Sequence, residues 1–380
     1  MADGSKLKLG IIGGGVNSAI GVTHKIALQM DDRFDLVSGC FSRNENINSQ
    51  TAQDWCVGKL YSDYRDLLKN EAGLLDAVVV LTPTNMHTGV VSDALKSNMP
   101  VICEKTVTDT LKDALVLKEL LEKTKGFLSV TYNYTGYPMV REIRHMINKD
   151  KLGKIIHINA QMPQEGFIRR TSDGGIPIPQ KWRLQDGDIS TISLDLGTHL
   201  SSIIEFLVKE KPLEVVSMKN SFGHHDVADN IICMVKYSGN IDCQMWYSKS
   251  ALGHKNGLKI EVYGEKGSVA WHQMNPELLI FNDNMGRTIH LDRSSKGIEI
   301  ANLKRYERFK SGHPAGFIEA FANYYDDVYD ALSAFKKGEP YKREYVFTID
   351  SSIRGLSLMQ AIEKSVAVKG WEKVHSGEKF

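Results

Sequence analysis

Three groups of residues in this sequence carry side chains or backbone that could serve one reaction. Asp195 and His199 stand four apart in an apolar stretch, residues 193–207, that reads as a helix. That spacing puts both side chains on one helix face. Lys105 follows the short β-type run 101–103, and Gly13, Gly14 and Gly15 follow the β-type run 8–12. An imidazole titrates near neutrality, so it can take a proton and give it back. A lysine ammonium steadies negative charge growing on an oxygen. A glycine-rich strand-to-helix turn lets backbone N–H groups approach a pyrophosphate. Base, cation and nicotinamide dinucleotide are the parts that oxidation of a secondary alcohol requires. Taken singly, each is ordinary. An Asp/His pair at this spacing is usually a surface ion pair, and a lysine after a strand is usually solvated.

The glycine turn is not a clean GxGxxG, because Ser18 takes the third glycine's place and Gly21 follows three residues later. A slightly longer phosphate loop is expected, with Gly13, Gly15, Val16 and Ser18 toward the cofactor. After the second β-type run the chain reads Phe41-Ser42-Arg43-Asn44-Glu45, with no carboxylate at the strand end to grip the ribose of NAD. A hydroxyl and a guanidinium there suit the 2′-phosphate of NADP, while Glu45 keeps NAD open. The expected cofactor is NAD or NADP, with a lean to NADP.

These residues need elements to hold them. The first third alternates β-type runs (8–12, 34–39, 77–81, 101–103, 127–131) with helical stretches (20–30, 87–97, 111–123). Ala77-Val78-Val79-Val80-Leu81 is apolar without alternation, as a parallel strand covered on both faces must be. The pattern predicts an α/β doubly wound parallel sheet, a Rossmann domain over residues 1–131. From 132 to 380 the spacing changes. A helix at 138–150 leads into β-rich segments (154–162, 214–222, 230–237, 240–248, 258–263), and helices near 315–336 and 349–366 close the chain. Tyr237-Ser238-Gly239-Asn240 and Gly264-Glu265-Lys266-Gly267 read as hairpin turns. The prediction is an α+β domain with a large open, mostly antiparallel sheet.

Composition narrows the function. At 380 residues the chain exceeds one usual hydrophobic core, and its 42% hydrophobic and 24% charged residues are ordinary for a globular protein. A formal charge of +1 gives no footprint for nucleic acid or anionic membrane, and neither partner is expected. Five cysteines without CxxC spacing match no zinc pattern. No metal is expected, since His224 and His225 in an extended segment point oppositely. No secretory signal or membrane span is read, and the expected location is cytoplasmic. Trp182 fits either a core or a sugar-stacking wall. Arg169, Arg170, Lys181 and Arg183 fit either a solvated face or a cleft for an anionic substrate.

Five motifs occur in order: Leu81-Thr82-Pro83-Thr84-Asn85-Met86-His87, Met99-Pro100-Val101-Ile102-Cys103-Glu104-Lys105-Thr106, Trp182-Arg183, Asp195-Leu196-Gly197-Thr198-His199, and Glu261 through Val269. In this the chain resembles the Gfo/Idh/MocA family, which includes glucose–fructose oxidoreductase and inositol 2-dehydrogenase, to about Val374. The resemblance implies that Thr82, Pro83, His87 and Glu104 lie along the cofactor and that Lys105 reaches both cofactor and substrate. It implies catalytic roles for Lys105, Asp195 and His199, with Asn133, Gln164, Trp182 and Arg183 completing the substrate side. Thr106 departs from the family's usual proline, and the phosphate loop is longer. The implied activity is hydride transfer between a nicotinamide cofactor and a sugar, sugar derivative or cyclic polyol. The implied assembly is a homo-oligomer, dimer or tetramer, through the C-terminal sheet. Two alternatives stand beside it: NAD-assisted redox cleavage of a glycoside, and a non-catalytic dinucleotide or sugar sensor.

Overall fold

The structure is a computed structural model that describes residues 5–375. By its internal contacts the chain divides into two compact units. One runs to Gly136 and takes up Phe317–Ser352, and the other comprises Tyr137–Gly316 and the described chain from Ile353 on. The expected division at 131/132 is a single cut, whereas the chain returns to its first unit near the end.

The first unit is built on six strands: β1 (Leu7–Gly13), β2 (Phe34–Cys40), β3 (Lys59–Leu60), β4 (Ala77–Leu81), β5 (Val101–Glu104) and β6 (Leu128–Thr131). They pair in parallel in the order β3-β2-β1-β4-β5-β6. The order reverses beside β1, between β2 and β4, and such switch points open a crevice at the strands' carboxyl ends. The five residues of β4 are all buried, as the unbroken apolar run requires. Connecting helices are α1 (Ala19–Met30), α2 (Glu45–Asp54), α3 (Tyr64–Asn70), α4 (Thr84–Lys96) and α5 (Leu111–Thr124). The sequence pattern predicts neither α2 nor α3. The residues of α2, ENINSQTAQD, lack an apolar stripe, and the helix starts because the Asn44 side chain accepts from the N–H groups of Asn46 and Ile47.

The second unit holds α6 (Pro138–Asn148), α7 (Thr198–Val208) and nine further strands. These are β7 (Ile155–Pro163), β8 (Pro212–Asn220), β9 (Asn230–Tyr237), β10 (Ile241–Ser248), β11 (Lys259–Gly264), β12 (Gly267–His272), β13 (Leu279–Asp283), β14 (Thr288–Leu291) and β15 (Glu372–Lys373). Their order is β14-β13-β12-β11-β7-β10-β9-β8-β15, antiparallel except for the β7–β10 pair. Both predicted hairpins form, and Gly239 turns the first with φ of 71°. Alternation decides the faces. Ile158, Ala160 and Met162 of β7 and Cys243, Met245 and Tyr247 of β10 are buried, while the residues between them are more exposed. The inward face packs on helices that include α7, while Met218 and Met234 on the other face are exposed.

The last helices are α8 (Phe317–Lys336) and α9 (Ile349–Val368). α8 belongs to the first unit, where Tyr324 donates to Val130 O at 2.6 Å and Asn323 to Gly136 O at 2.8 Å. Among the described residues no helix is long and apolar enough to cross a membrane. The five cysteines are free thiols, and burial pushes that of Cys233 up to about 12, so it serves as packing.

Candidate active site

The glycine turn of the first unit sits at the switch point. Gly13 and Gly14 have φ of 85° and 70°, and a Cβ on Gly13 would meet Thr82 N at 2.7 Å. Gly21, inside α1, faces Gly14 so closely that a Cβ there would overlap the Gly14 carbonyl. Gly21 therefore does what the third glycine of the fingerprint does, bringing the helix onto the turn. Ser18 caps α1, its hydroxyl accepting from Gly21 N at 3.2 Å. Val16 N donates to Thr51 Oγ1 at 3.1 Å, and Gly15 also faces that hydroxyl, which ties the turn to α2. A turn stripped of side chains before a helix N-terminus fits a dinucleotide pyrophosphate.

Ser42 and Arg43 lie between β2 and α2. The Ser42 hydroxyl accepts from Asn44 N at 3.1 Å, and Arg43 is exposed. Glu45 starts α2, where its charge suits the helix N-terminus.

At the end of β4, Thr82 and Pro83 lead into α4, whose first turn ends at His87. That ring is buried between two carbonyls: Nδ1 lies 2.7 Å from Thr106 O and Nε2 2.7 Å from Thr82 O. His87 thus packs between the segment after Lys105 and the end of β4, its neutral ring donating its one N–H to one of the two carbonyls. Burial lowers its pKa and outweighs the two carbonyls, which raise it. Lys105 itself is half-buried, directly after β5, and its peptide bond to Thr106 is cis. Glu104 is buried at the strand end with Oε1 3.3 Å from His24 Nε2, and His24 Nδ1 lies 2.5 Å from Tyr325 OH. The expected cofactor contact Glu104 is in this structure a partner of the α1 helix. Asn133 stands two residues beyond the Glu104–Thr131 register pair, buried, its Nδ2 meeting no hydrogen-bond acceptor among the described residues.

In the second unit the expected pair does not lie on one regular helix. Asp195 is inside a π-helical turn, Ser193–Gly197, and His199 is in the first turn of α7. Packing accounts for the wide turn. Gly197 has no room for a side chain, with Met359 Sδ and the Tyr247 ring against it, and Ser193 Oγ lies 3.0 Å from Tyr247 OH. Such turns recur at functional sites because they re-aim side chains. His199 is buried, and the neighbouring Leu196, Leu200, Ile203, Ile204 and Leu207 are in the core.

Two cations meet on Asp195. Arg183 donates to Oδ2 from a 3-10 turn, and its guanidinium also lies 4.4 Å from the Trp182 ring centroid. Lys249 Nζ reaches the same oxygen at 2.5 Å. Trp182 Nε1 donates to Gln180 Oε1 at 2.8 Å. Gln164 N donates to Ser248 O at 2.7 Å, and its amide reaches Asn256 Oδ1 at 3.3 Å. Arg183, Asp195 and Trp182 are therefore brought together. Gln164 is in the segment bonded to Ser248, and Phe167 of that segment to Lys249. The residues missed are Gly21's packing role and Lys249. The signal for Lys249 was its phase: it continues the inward series Cys243, Met245, Tyr247. His224 and His225 serve a loop, His224 bonding to Ile168 O at 3.0 Å and His225 packing edge-on to Phe167.

A glycine turn at the switch point of a parallel sheet, and a second unit with a buried His199 one turn after a partly buried Asp195, are the parts of a dinucleotide-dependent oxidoreductase. Residues 7–132 match the family described as an oxidoreductase family with an NAD-binding Rossmann fold, and residues 140–270 match the GFO/IDH/MocA C-terminal domain. The chain belongs to the GFO/IDH/MocA oxidoreductase family. It is 30% identical to the crystal structure of an oxidoreductase from Sinorhizobium meliloti, covering 97% of this chain and 99% of that one, with a TM-score of 0.83. An inositol dehydrogenase homolog from Azotobacter vinelandii, complexed with NADH and myo-inositol, is 26% identical over 97% and 98% of the two chains, with a TM-score of 0.87. Glucose-6-phosphate 3-dehydrogenase from Bacillus subtilis is 25% identical over 291 residues, 73% of this chain and 78% of that one.

Proposed function

We propose that this chain interconverts a secondary hydroxyl and a carbonyl on a sugar, sugar derivative or cyclic polyol, using NAD or NADP. The observation that carries the reading is the buried His199 one turn after Asp195, a partly buried carboxylate with two cationic donors on it. The relatives named for inositol and glucose 6-phosphate support the substrate class. Gly13, Gly14, Gly15, Val16 and Ser18 hold the pyrophosphate, with Gly21 packed behind them. When bound, the nicotinamide supplies the hydride acceptor in oxidation and the donor in reduction.

The remaining steps belong to side chains. His199 takes the hydroxyl proton in oxidation and returns it in reduction. Lys105 orients the hydroxyl and steadies the developing alkoxide charge. Asp195 accepts a hydrogen bond from substrate while fixed by its two cations. Trp182 offers an apolar wall, and Asn133, Gln164 and Arg183 offer polar contacts. Arg43, exposed beyond β2, tilts the preference to NADP through a 2′-phosphate. The open sheet face of the second unit joins copies of the chain.

The experiment is a screen of sugars, uronates, inositols and sugar phosphates with each dinucleotide, following reduced nicotinamide, beside calorimetric titration of NAD and NADP. Turnover of a polyol and micromolar dinucleotide binding are expected. Binding of neither dinucleotide overturns the reading, and a clear preference for NAD overturns the tilt alone.

A further inference from the structure

We propose that Lys249 is a positioning residue of the substrate site, fixing the Asp195 carboxylate and acting on the reacting hydroxyl through it. The proposal rests on the function above. It starts from a lysine in the wrong place for a solvated one. Lys249 follows β10 in the phase of the buried residues Cys243, Met245 and Tyr247, and its side chain is 6% exposed. A buried ammonium is costly unless paired and hydrogen-bonded, and this one meets Asp195 Oδ2 at 2.5 Å.

Its backbone is fixed on both sides. Lys249 N donates to Asp229 O at 2.7 Å, and Lys249 O accepts from Phe167 N at 2.8 Å. Asp229 is itself buried, its carboxylate accepting from Phe222 N and Gly223 N. The ammonium also lies 5.0 Å from the Phe167 ring centroid, at cation–π range. Arg183, the other cation on Asp195, comes from a 3-10 turn and is 27% exposed. Of the two, Lys249 is the one anchored by the sheet. Asp195 needs that anchor because it sits in a π turn, where regular helix geometry does not set its direction.

A purely structural ion pair would matter for folding and leave turnover per folded molecule alone. Lys249→Met and Lys249→Gln separate these, measured on the polyol that wild type turns over, with Lys249→Arg as the rescue. Displacing a positioned group by about an ångström costs on the order of a hundredfold in rate. We expect kcat to fall by about that factor in both neutral variants, dinucleotide affinity to stay within twofold, and Lys249→Arg to recover most of the loss. A crystal structure of Lys249→Met should find the Asp195 carboxylate turned from its place. Neutral variants with kcat within twofold of wild type, an unmoved Asp195, or neutral variants that both fail to fold would overturn the proposal. A wild type that oxidises no polyol would instead overturn the function it rests on, while the position of Asp195 in the variant still decides the structural half.

Discussion

His199 carries the heaviest assignment of any single residue in this chain. Its ring is buried at the start of α7, one turn after a carboxylate that two cations hold. One oxygen of the aspartate is held by both cations, and the imidazole has the chemistry for proton transfer near neutrality. His199→Ala should therefore lower kcat by two to four orders of magnitude, roughly what a positioned acid–base group contributes. In wild type, oxidation should weaken as pH falls, because a protonated imidazole cannot accept the hydroxyl proton. Reduction should hold up better on that side, because it needs the protonated ring. Steady-state profiles in both directions check this. The same acidic limb in wild type and variant would assign the proton to another group. Asp195 and His199 were singled out in the sequence by their spacing and by the resemblance, which put both on one regular helix, whereas Asp195 lies in the π turn before α7. Lys249 was passed over because a lysine after a strand is normally solvated, although its phase continues the inward series Cys243, Met245 and Tyr247.

Elements explain which parts of the fold the sequence carried. The parallel strands and α1, α4 and α5 announce themselves by apolar runs, whereas α2 depends on the Asn44 cap and β3 is two residues long. The π turn at Asp195 had no periodic signature, because it comes from packing of Gly197 against Tyr247 and Met359. At this scale the turn from β1 to α1 makes a sharp prediction. Gly21→Ala pushes a methyl into the Gly14 carbonyl, so dinucleotide affinity should drop at least tenfold and stability by about 1–3 kcal/mol. Calorimetric titration and thermal melting read both, and unchanged affinity would mean that the α1 contact does not shape the phosphate loop. His87 makes a second. Its folded pKa lies below the ordinary value near 6.5, chiefly through burial, so the unfolded chain binds the proton more readily. His87 thus contributes stability above about pH 6.5 that is lost as pH falls toward the folded value. His87→Leu should cost about 1–3 kcal/mol at pH 8, since the carbonyl that accepts the neutral ring's one N–H loses its donor, and the gap should narrow at pH 5. Denaturant melts of both proteins at the two pH values measure it. A gap that widens on acidification would reverse the assignment.

For the molecule as a whole, the open sheet face of the second unit sets the expectation of self-association. Across β8, β9 and β10 the outward positions bring apolar side chains into register: Val216 pairs with Met234, Met218 with Ile232, and Ile232 with Trp246. Met218 is 60% exposed and Met234 55%, unusual for large apolar residues side by side on adjacent strands. The same face also carries Asp242, Gln244 and Lys236, a mixture suited to an interface between copies rather than to a further internal layer. A twofold association would set each strand's apolar positions against the same positions of its mate, because such interfaces are self-complementary. Wild type should sediment as a dimer or tetramer at micromolar concentration. Met218→Glu with Met234→Glu should shift it to the monomer, since each copy adds two carboxylates to a face that must lose water. The first unit, which holds the glycine turn, should keep its dinucleotide affinity in that variant. Sedimentation velocity with parallel dinucleotide titration tests both halves: a wild-type monomer, or a double variant that still sediments as the oligomer, would take the interface off this face.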